Sequence, residues 1–564
     1  MSVTISRLAG LYEKGKGPEA FAALGRVFTP LDRPLPDLYR WLAENPERLN
    51  DLESDLSLAY YDPGEDCLTL IRDACGATPL FAAQKGEAWA FGLTLADLFG
   101  VLGRRPEINE ETFYDFLASH YRYVFRDPRR TFHRGVSQIP AGCYARITPQ
   151  GMTVKPWLRL TFDPLAQKMD LEAAGRTYLE MLAENTSFRL KALAGEKYAF
   201  TVSSGMDSST VAALASRETG PLETWFMAYK EQSQSPYDES EGVQKLLAAF
   251  PEWHLNRLDL GAPDLLRETE ELLAKTSAPV ITVTWLAHYV LAKAARDTGA
   301  AFLFSGLGGD ESLAGEFEHF FLFFADLVRS GQTELLEEET KAWAELHDHP
   351  VFKKSPAVRD EWLAKNIDFQ TGEIRVDQVR LTQNRKFFDP GWIEAMEKII
   401  PPIPMPRPYP FFLSNRLYQE MTYETSPPTM WSEALSSRAG GIKGLFPMAS
   451  PRLFRLALSL PGTFKYRRGV TKWFLREAVR DLLPQSTAGN PVKTGFNAPL
   501  DLWLREPALA KKVLELLADG PLRQKYWLKK GAAEELITAH LKGQASHMMV
   551  LWPLIVTSIF LNLS

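Results

Sequence analysis

Cysteine is scarce in this chain: Cys67, Cys75 and Cys143 are the three in 564 residues. Their spacing matches no metal-binding pattern and their number is far below that of a disulfide scaffold, which excludes both classes. Long basic runs are missing, and a net charge of −6 offers no field for a phosphate backbone, so no nucleic-acid partner is expected. The start lacks the basic stretch and apolar core of a secretory leader, and a cytoplasmic enzyme is expected. Nor does any apolar run reach the roughly 20 residues that cross a bilayer. The nearest, residues 548–561 (MMVLWPLIVTSIFL), is too short and contains Pro553. It is expected to be a buried terminal helix or strand, and no membrane partner is expected. Internal repeats are also missing.

What is present is the composition of a folded protein: 45% hydrophobic and 24% charged residues, in a chain long enough for two or three domains. Residues 56–61, 67–72, 88–93 and 142–148 read as short strands, the first two flanking a YDPGED turn. They suit an antiparallel sheet, with residues 109–121 as a helical excursion from it. Beyond residue 171 the rhythm changes. A long helical stretch, 171–193, precedes apolar strands at 198–202, 223–229, 252–258 and 301–304 with helices between them. Strands alternating with helices imply a parallel sheet. Residues 322–345 and 452–483 read as mainly helical, and the proline-rich stretch 399–412 as an extended connector. The phenylalanines around His319 have the periodicity of a buried helix face, with His319 packed or capping, and the acidic run 334–339 reads as a solvated helix face.

Two loops carry the chemistry. Ser203-Ser204-Gly205-Met206-Asp207-Ser208-Ser209 follows an apolar strand and leads into a helix. Such a junction aims backbone N–H groups and a helix dipole at an anion, and the serine hydroxyls add donors. Asp207 is a hard oxygen ligand suited to holding Mg²⁺ against phosphate. The second loop, Ser305-Gly306-Leu307-Gly308-Gly309-Asp310-Glu311, also leaves a strand end. Ligands gather at the carboxyl ends of parallel strands, so the two aspartates are placed to meet over one Mg²⁺–nucleotide complex.

The first loop resembles the pyrophosphate loop of N-type ATP pyrophosphatases, Ser-Gly-Gly-x-Asp-Ser. The second resembles the Ser-Gly-x-Gly-x-Asp-Glu loop of asparagine synthetases and their relatives, the β-lactam synthetases and lasso-peptide cyclases. Three further blocks follow in the order those families show: FPMASPRL from Phe446, TKWFLR from Thr471, and KTGF from Lys493. The stretches LAYYD, RDACGATPLF and TFHRGVSQIPAGCYARI resemble the sheet of the family's glutamine amidotransferase domain. The resemblance spans nearly the whole chain. It implies an α/β and α+β protein: a degenerate Ntn-hydrolase-like antiparallel domain over residues 1–160, then a parallel-sheet ATP pyrophosphatase domain with a helical C-terminal part over 171–564.

The resemblance also implies ATP and Mg²⁺ as cofactors. Pyrophosphate and ATP would be bound by Ser203, Ser204, Gly205, Asp207, Ser208, Ser209, Ser305 and Gly306, and metal by Asp207 and Asp310. Lys493 matches a lysine that stabilises the charge of the adenylation transition state. The substrates would be a small-molecule or peptide carboxylate and ammonia or an amine, in a chain that pairs as a homodimer.

The departures narrow this. Ser204 replaces a glycine, and a left-handed backbone there would be strained. Leu307 stands where relatives carry glutamate or tyrosine, and Lys443 and Leu445 stand where they carry glutamate and arginine. The group that deprotonates the amine is therefore open, with Glu311, Glu316 and Glu433 as candidates. The family's glutaminase nucleophile is a cysteine at position 2; here it is Ser2, and an Asn-Gly-Glu segment is missing. The expectation is an ATP-dependent amide-forming ligase without glutaminase. An intramolecular amide cyclase and an inactive nucleotide-binding scaffold are the alternatives.

Overall fold

The computed structural model describes residues 9–12, 20–29, 34–229, 235, 237–346, 354–491, 497–544 and 546–563. Its first part is two antiparallel sheets rather than the single one expected. One runs Ala9–Tyr12, Ala88–Gly92, Phe81–Lys85, Val136–Gln138; the other runs Ala20–Leu24, Ser57–Asp62, Cys67–Ile71, Cys143–Thr148, Gly151–Pro156. Leu68, Leu70, Ala145 and Ile147 of one sheet and Ala82 and Phe91 of the other share a buried core. The YDPGED turn forms as read: Asp62 accepts the Gly64 N–H at 2.7 Å, and Asp66 takes the left-handed backbone (φ 46°). The helical excursion is Glu110–Ala118, capped by the Asn109 side chain.

The second part is a five-stranded sheet, ordered His254–Leu260, Glu223–Tyr229, Tyr198–Thr201, Phe302–Phe304, Lys443–Leu445, with every pair parallel. The chain builds outward from Tyr198–Thr201 on one side, then crosses to the other for Phe302–Phe304. The order thus reverses between these two neighbours, and a crevice opens at their carboxyl ends. Both loops singled out in the sequence leave the sheet at that crevice.

The parts are joined by a buried acidic pair. Asp55 Oδ2 lies 2.7 Å from Lys443 Nζ, and Glu53 Oε1 accepts the Ser450 hydroxyl at 2.6 Å. Lys443, one of the departures from the family pattern, is therefore a tie between the halves. Burial lowers its pKa, and Asp55 works against that shift. Leu445 is core, 1% exposed.

The terminal apolar stretch is the helix Met548–Asn562, buried from Val550 to Phe560. Among the described residues no helix is long and apolar enough to cross a membrane. His319 is fully buried; its Nδ1 accepts the Glu316 N–H, and its Nε2 lies 2.7 Å from Glu420 Oε2. The acidic run is only partly solvated. Glu334, Glu337 and Glu338 are exposed, but Glu339 is buried and accepts the N–H groups of Arg468 and Gly469 at 2.9 and 3.1 Å.

Candidate functional site

Ser203, Ser204, Gly205, Asp207, Ser208, Ser305, Gly306 and Asp310 line one cavity of about 290 Å³ at the crevice. In the first loop the helix Met206–Thr219 begins directly after Gly205, so its first N–H groups face the cavity. Ser203 Oγ accepts the Gly205 N–H at 3.1 Å and lies 3.0 Å from Ser208 Oγ. Ser204 borders the cavity, yet its N–H and hydroxyl both donate to Glu239 Oε2 at 2.8 Å. Its φ is not positive, so a serine fits where the family has glycine without the strain considered above. Ser209 does not reach the cavity. Its buried hydroxyl donates to Gly205 O at 2.7 Å, one turn back along the helix.

The second loop lies against the first, backbone to backbone. A Cβ on Gly306 would stand 2.4 Å from Ser208 N and 2.6 Å from Asp207 C, so only glycine lets the loops meet. Gly308 holds a left-handed φ of 102°, after which the short helix Gly309–Leu313 presents Asp310.

Between the two aspartates sits a cation from a third element. Lys472 Nζ is 2.5 Å from Asp207 Oδ2 and 2.6 Å from Asp310 Oδ1. Burial disfavours its charge, but the two carboxylates outweigh burial and raise its pKa. Lys472 is 6% exposed and held at φ 57°, a left-handed conformation costly for a residue with a Cβ. The TKWFLR block carries Lys472, but nothing in its sequence sets that lysine apart. The signal available there was a lysine directly preceding a helical run in a motif block; its meeting with both aspartates is a product of the fold.

The two carboxylates fit Mg²⁺ held jointly with phosphate. They converge on a point that already accommodates a positive charge, and Mg²⁺ commonly takes one or two protein carboxylates with substrate oxygens. Among the described residues no group of three or more His, Cys, Asp or Glu side chains could hold a metal alone. Lys493 lies outside the described residues, in the segment 492–496. The chain leading into it is pinned by Arg476, which donates to Ala488 O at 2.9 Å and to Asn490 O at 2.6 Å.

A family model described as asparagine synthase matches residues 180–563, well over half the chain. The chain belongs to the asparagine synthase family. A second model, glutamine amidotransferase domain, matches residues 40–158. Asparagine synthetase [glutamine-hydrolyzing] 1 of Bacillus subtilis is 22% identical over 543 residues, covering 91% of this chain and 78% of its own. A Mycobacterium bovis protein named "Putative asparagine synthetase [glutamine-hydrolyzing]" is 23% identical over 544 residues, with coverages of 92% and 77%. As a member of the asparagine synthase family, the chain is an ATP-dependent, amide-forming carbon–nitrogen ligase whose family takes a carboxylate and an amine or ammonia.

An asparagine synthase-type ligase needs a group to take the amine's proton, and the three carboxylates considered for it fare differently. Glu316 lines the cavity. Glu311 faces a separate, much smaller cavity beside Cys75, and burial pushes its pKa up to about 7. Glu433 is buried away from both and accepts the Ser437 hydroxyl at 2.5 Å. His288, unremarked in the sequence, also lines the cavity; burial lowers it to about 4, so it is neutral near pH 7.

Burial raises Glu433 to about 7, against an ordinary value of 4.5. A carboxyl raised in this way stabilises the fold below pH 4.5 relative to higher pH, and that contribution drains away as pH rises to 7. Glu433→Gln keeps the shape without the charge. The variant is expected to melt above the parent at pH 8, by an amount reflecting about 2 kcal/mol, and level with or below it at pH 5. Parallel thermal melts at the two pH values check this, and an advantage for Gln confined to pH 5 would contradict it.

Proposed function

We propose that the enzyme activates its carboxylate as an acyl-adenylate and passes it to ammonia or an amine without using glutamine. The observation that carries this reading is the convergence of Asp207 and Asp310, from loops of adjacent parallel strands, on one cation position beside a helix N-terminus. That arrangement suits the β- and γ-phosphates of ATP. A carboxylate oxygen attacks the α-phosphorus, the bond to the bridging oxygen breaks, and pyrophosphate leaves. The amine nitrogen then attacks the acyl carbon, the bond from that carbon to the AMP oxygen breaks, and the amine's proton passes to a base. Glu316 is proposed for that base because it lines the cavity.

Asp207 and Asp310 would hold Mg²⁺, which neutralises charge on the departing pyrophosphate. Ser203, Gly205 and Ser208 would bind the pyrophosphate, with Ser305 and Gly306 forming the facing wall. Lys493 is assigned to the α-phosphate on the family pattern alone. Closing both substrates into one cavity makes the second step effectively intramolecular and keeps water from the adenylate.

The proposed lack of glutaminase rests on Ser2 and the missing Asn-Gly-Glu segment. Two assays test the reading. ATP–pyrophosphate exchange should depend on a carboxylate, and exchange with none from a broad panel would contradict the adenylate. Glutamine should yield no glutamate above background; release that Ser2→Ala abolishes would overturn the second part.

A further inference from the structure

A second cavity of about 330 Å³ adjoins the first and shares Thr284, Trp285 and Asn497 with it as common wall. Its remaining wall is mostly apolar. Ile281 and Val283 come from the entry to the helix Val283–Asp297, and Met548, Met549 and Trp552 from the terminal helix. No charged side chain belongs to this wall among the described residues. The Trp552 indole N–H donates to Val280 O at 3.0 Å, which satisfies its polar edge and leaves the ring as an apolar surface. The methionines make a wall that reshapes around its contents. The terminal helix, expected only to fill core, thus also borders a cavity that adjoins the candidate site.

From this we infer that the second cavity seats the uncharged, apolar body of one amide-forming substrate, while that substrate's reacting end reaches the Asp207–Asp310 cavity. The inference rests on the ligase reading above. A four-carbon diacid such as aspartate fits poorly here: with its side-chain carboxylate at the reacting end, its α-carboxylate and ammonium would shed their hydration with no charged side chain in the described wall to receive them. A volume of about 330 Å³ is also in the range of pockets that hold whole ligands, far above what the α-carboxylate and ammonium of one such diacid fill. The apolar body belongs either to the carboxylate or to the amine, and both present the same chemistry to this wall.

Calorimetric titration of the full chain with 4-phenylbutyrate, 4-phenylbutylamine and aspartate tests the inference and separates those two sources. At least one phenylbutyl probe is expected to bind tenfold or more tighter than aspartate. Tight binding of the acid identifies the acyl donor as the apolar partner, and tight binding of the amine identifies the acceptor. Met549→Glu is expected to weaken that binding at least tenfold, and Met549→Leu to leave it within threefold. Met549→Trp, which fills the chamber without adding charge, should weaken it as well and serves if the glutamate variant does not fold. Aspartate binding as tightly as both probes, or phenylbutyl binding indifferent to the filled or charged chamber, would overturn the inference. Binding needs no turnover, so this readout stays separate from pyrophosphate exchange, whose absence would count against the adenylation chemistry instead.

Discussion

Asp207→Asn and Asp310→Asn are each expected to reduce carboxylate-dependent pyrophosphate exchange by about a thousandfold or more while leaving the protein folded. The two carboxylates come from different loops but share one cation position, 2.5 and 2.6 Å from Lys472 Nζ. An amide in place of either halves the hard anionic ligand set that would hold Mg²⁺ against the triphosphate, and transition-state charge stabilisation of this kind contributes several kcal/mol. The fold should survive, because Lys472 keeps the other aspartate and the loops keep their close backbone contact at Gly306. Exchange assays with thermal melts of the two variants check this. Exchange at the parental rate in either variant would remove that residue from the proposed metal site.

Lys472→Met is expected to have the next largest effect, of a different kind. The substitution leaves two carboxylates facing each other around an empty centre. Breaking a buried ion pair by deleting one partner commonly costs 3–5 kcal/mol; here about 2 kcal/mol is expected, since the Asp310 side chain is 32% exposed. Without nucleotide the variant should therefore melt lower than the parent, and Mg²⁺ should raise its melting temperature more than it raises the parent's. Exchange should also fall by about a hundredfold, the loss typical of one fixed charge at a transition state. Lys493→Met, by contrast, is expected to lose exchange with no new response of stability to Mg²⁺. Melts with and without Mg²⁺, run beside exchange, separate the two lysines. A Lys472→Met protein with parental exchange and parental Mg²⁺ response would make Lys472 a tie between loops and nothing more.

Much of the site could be read from the chain because strand-end loops have a local signature. The apolar runs before Ser203 and Ser305, the small residues after them and the aspartates at Asp207 and Asp310 are all near neighbours in sequence. The parallel sheet was legible for the same reason, with Glu223–Tyr229 forming over the residues expected. What escaped depends on contacts distant in sequence. Phe81–Lys85 is alanine-rich and Val136–Gln138 is three residues long, so neither announces a strand, and the second antiparallel sheet went unread. Lys443–Leu445 is also only three residues and exists by pairing with Phe302–Phe304.

Side-chain direction was equally hidden. Ser209 and Glu433 occupy promising positions, yet helix geometry turns the first back onto Gly205 and buries the second against Ser437. Lys443 looked like a damaged catalytic position, whereas Asp55, almost four hundred residues earlier, explains it as a structural pair. Lys472 reaches the aspartates because a left-handed turn aims it there, and no spacing rule gives that.

Formation of an acyl-adenylate at the Asp207–Asp310 cavity is read out by oxygen-18 transfer. A carboxylate that supports exchange, labelled in its carboxyl oxygens, is turned over with ATP and an amine, and the nucleotide products are weighed. AMP is expected to carry one labelled oxygen, because the oxygen that attacks phosphorus stays on AMP when the acyl–oxygen bond breaks. Unlabelled AMP, or ADP with the label in inorganic phosphate, would contradict it.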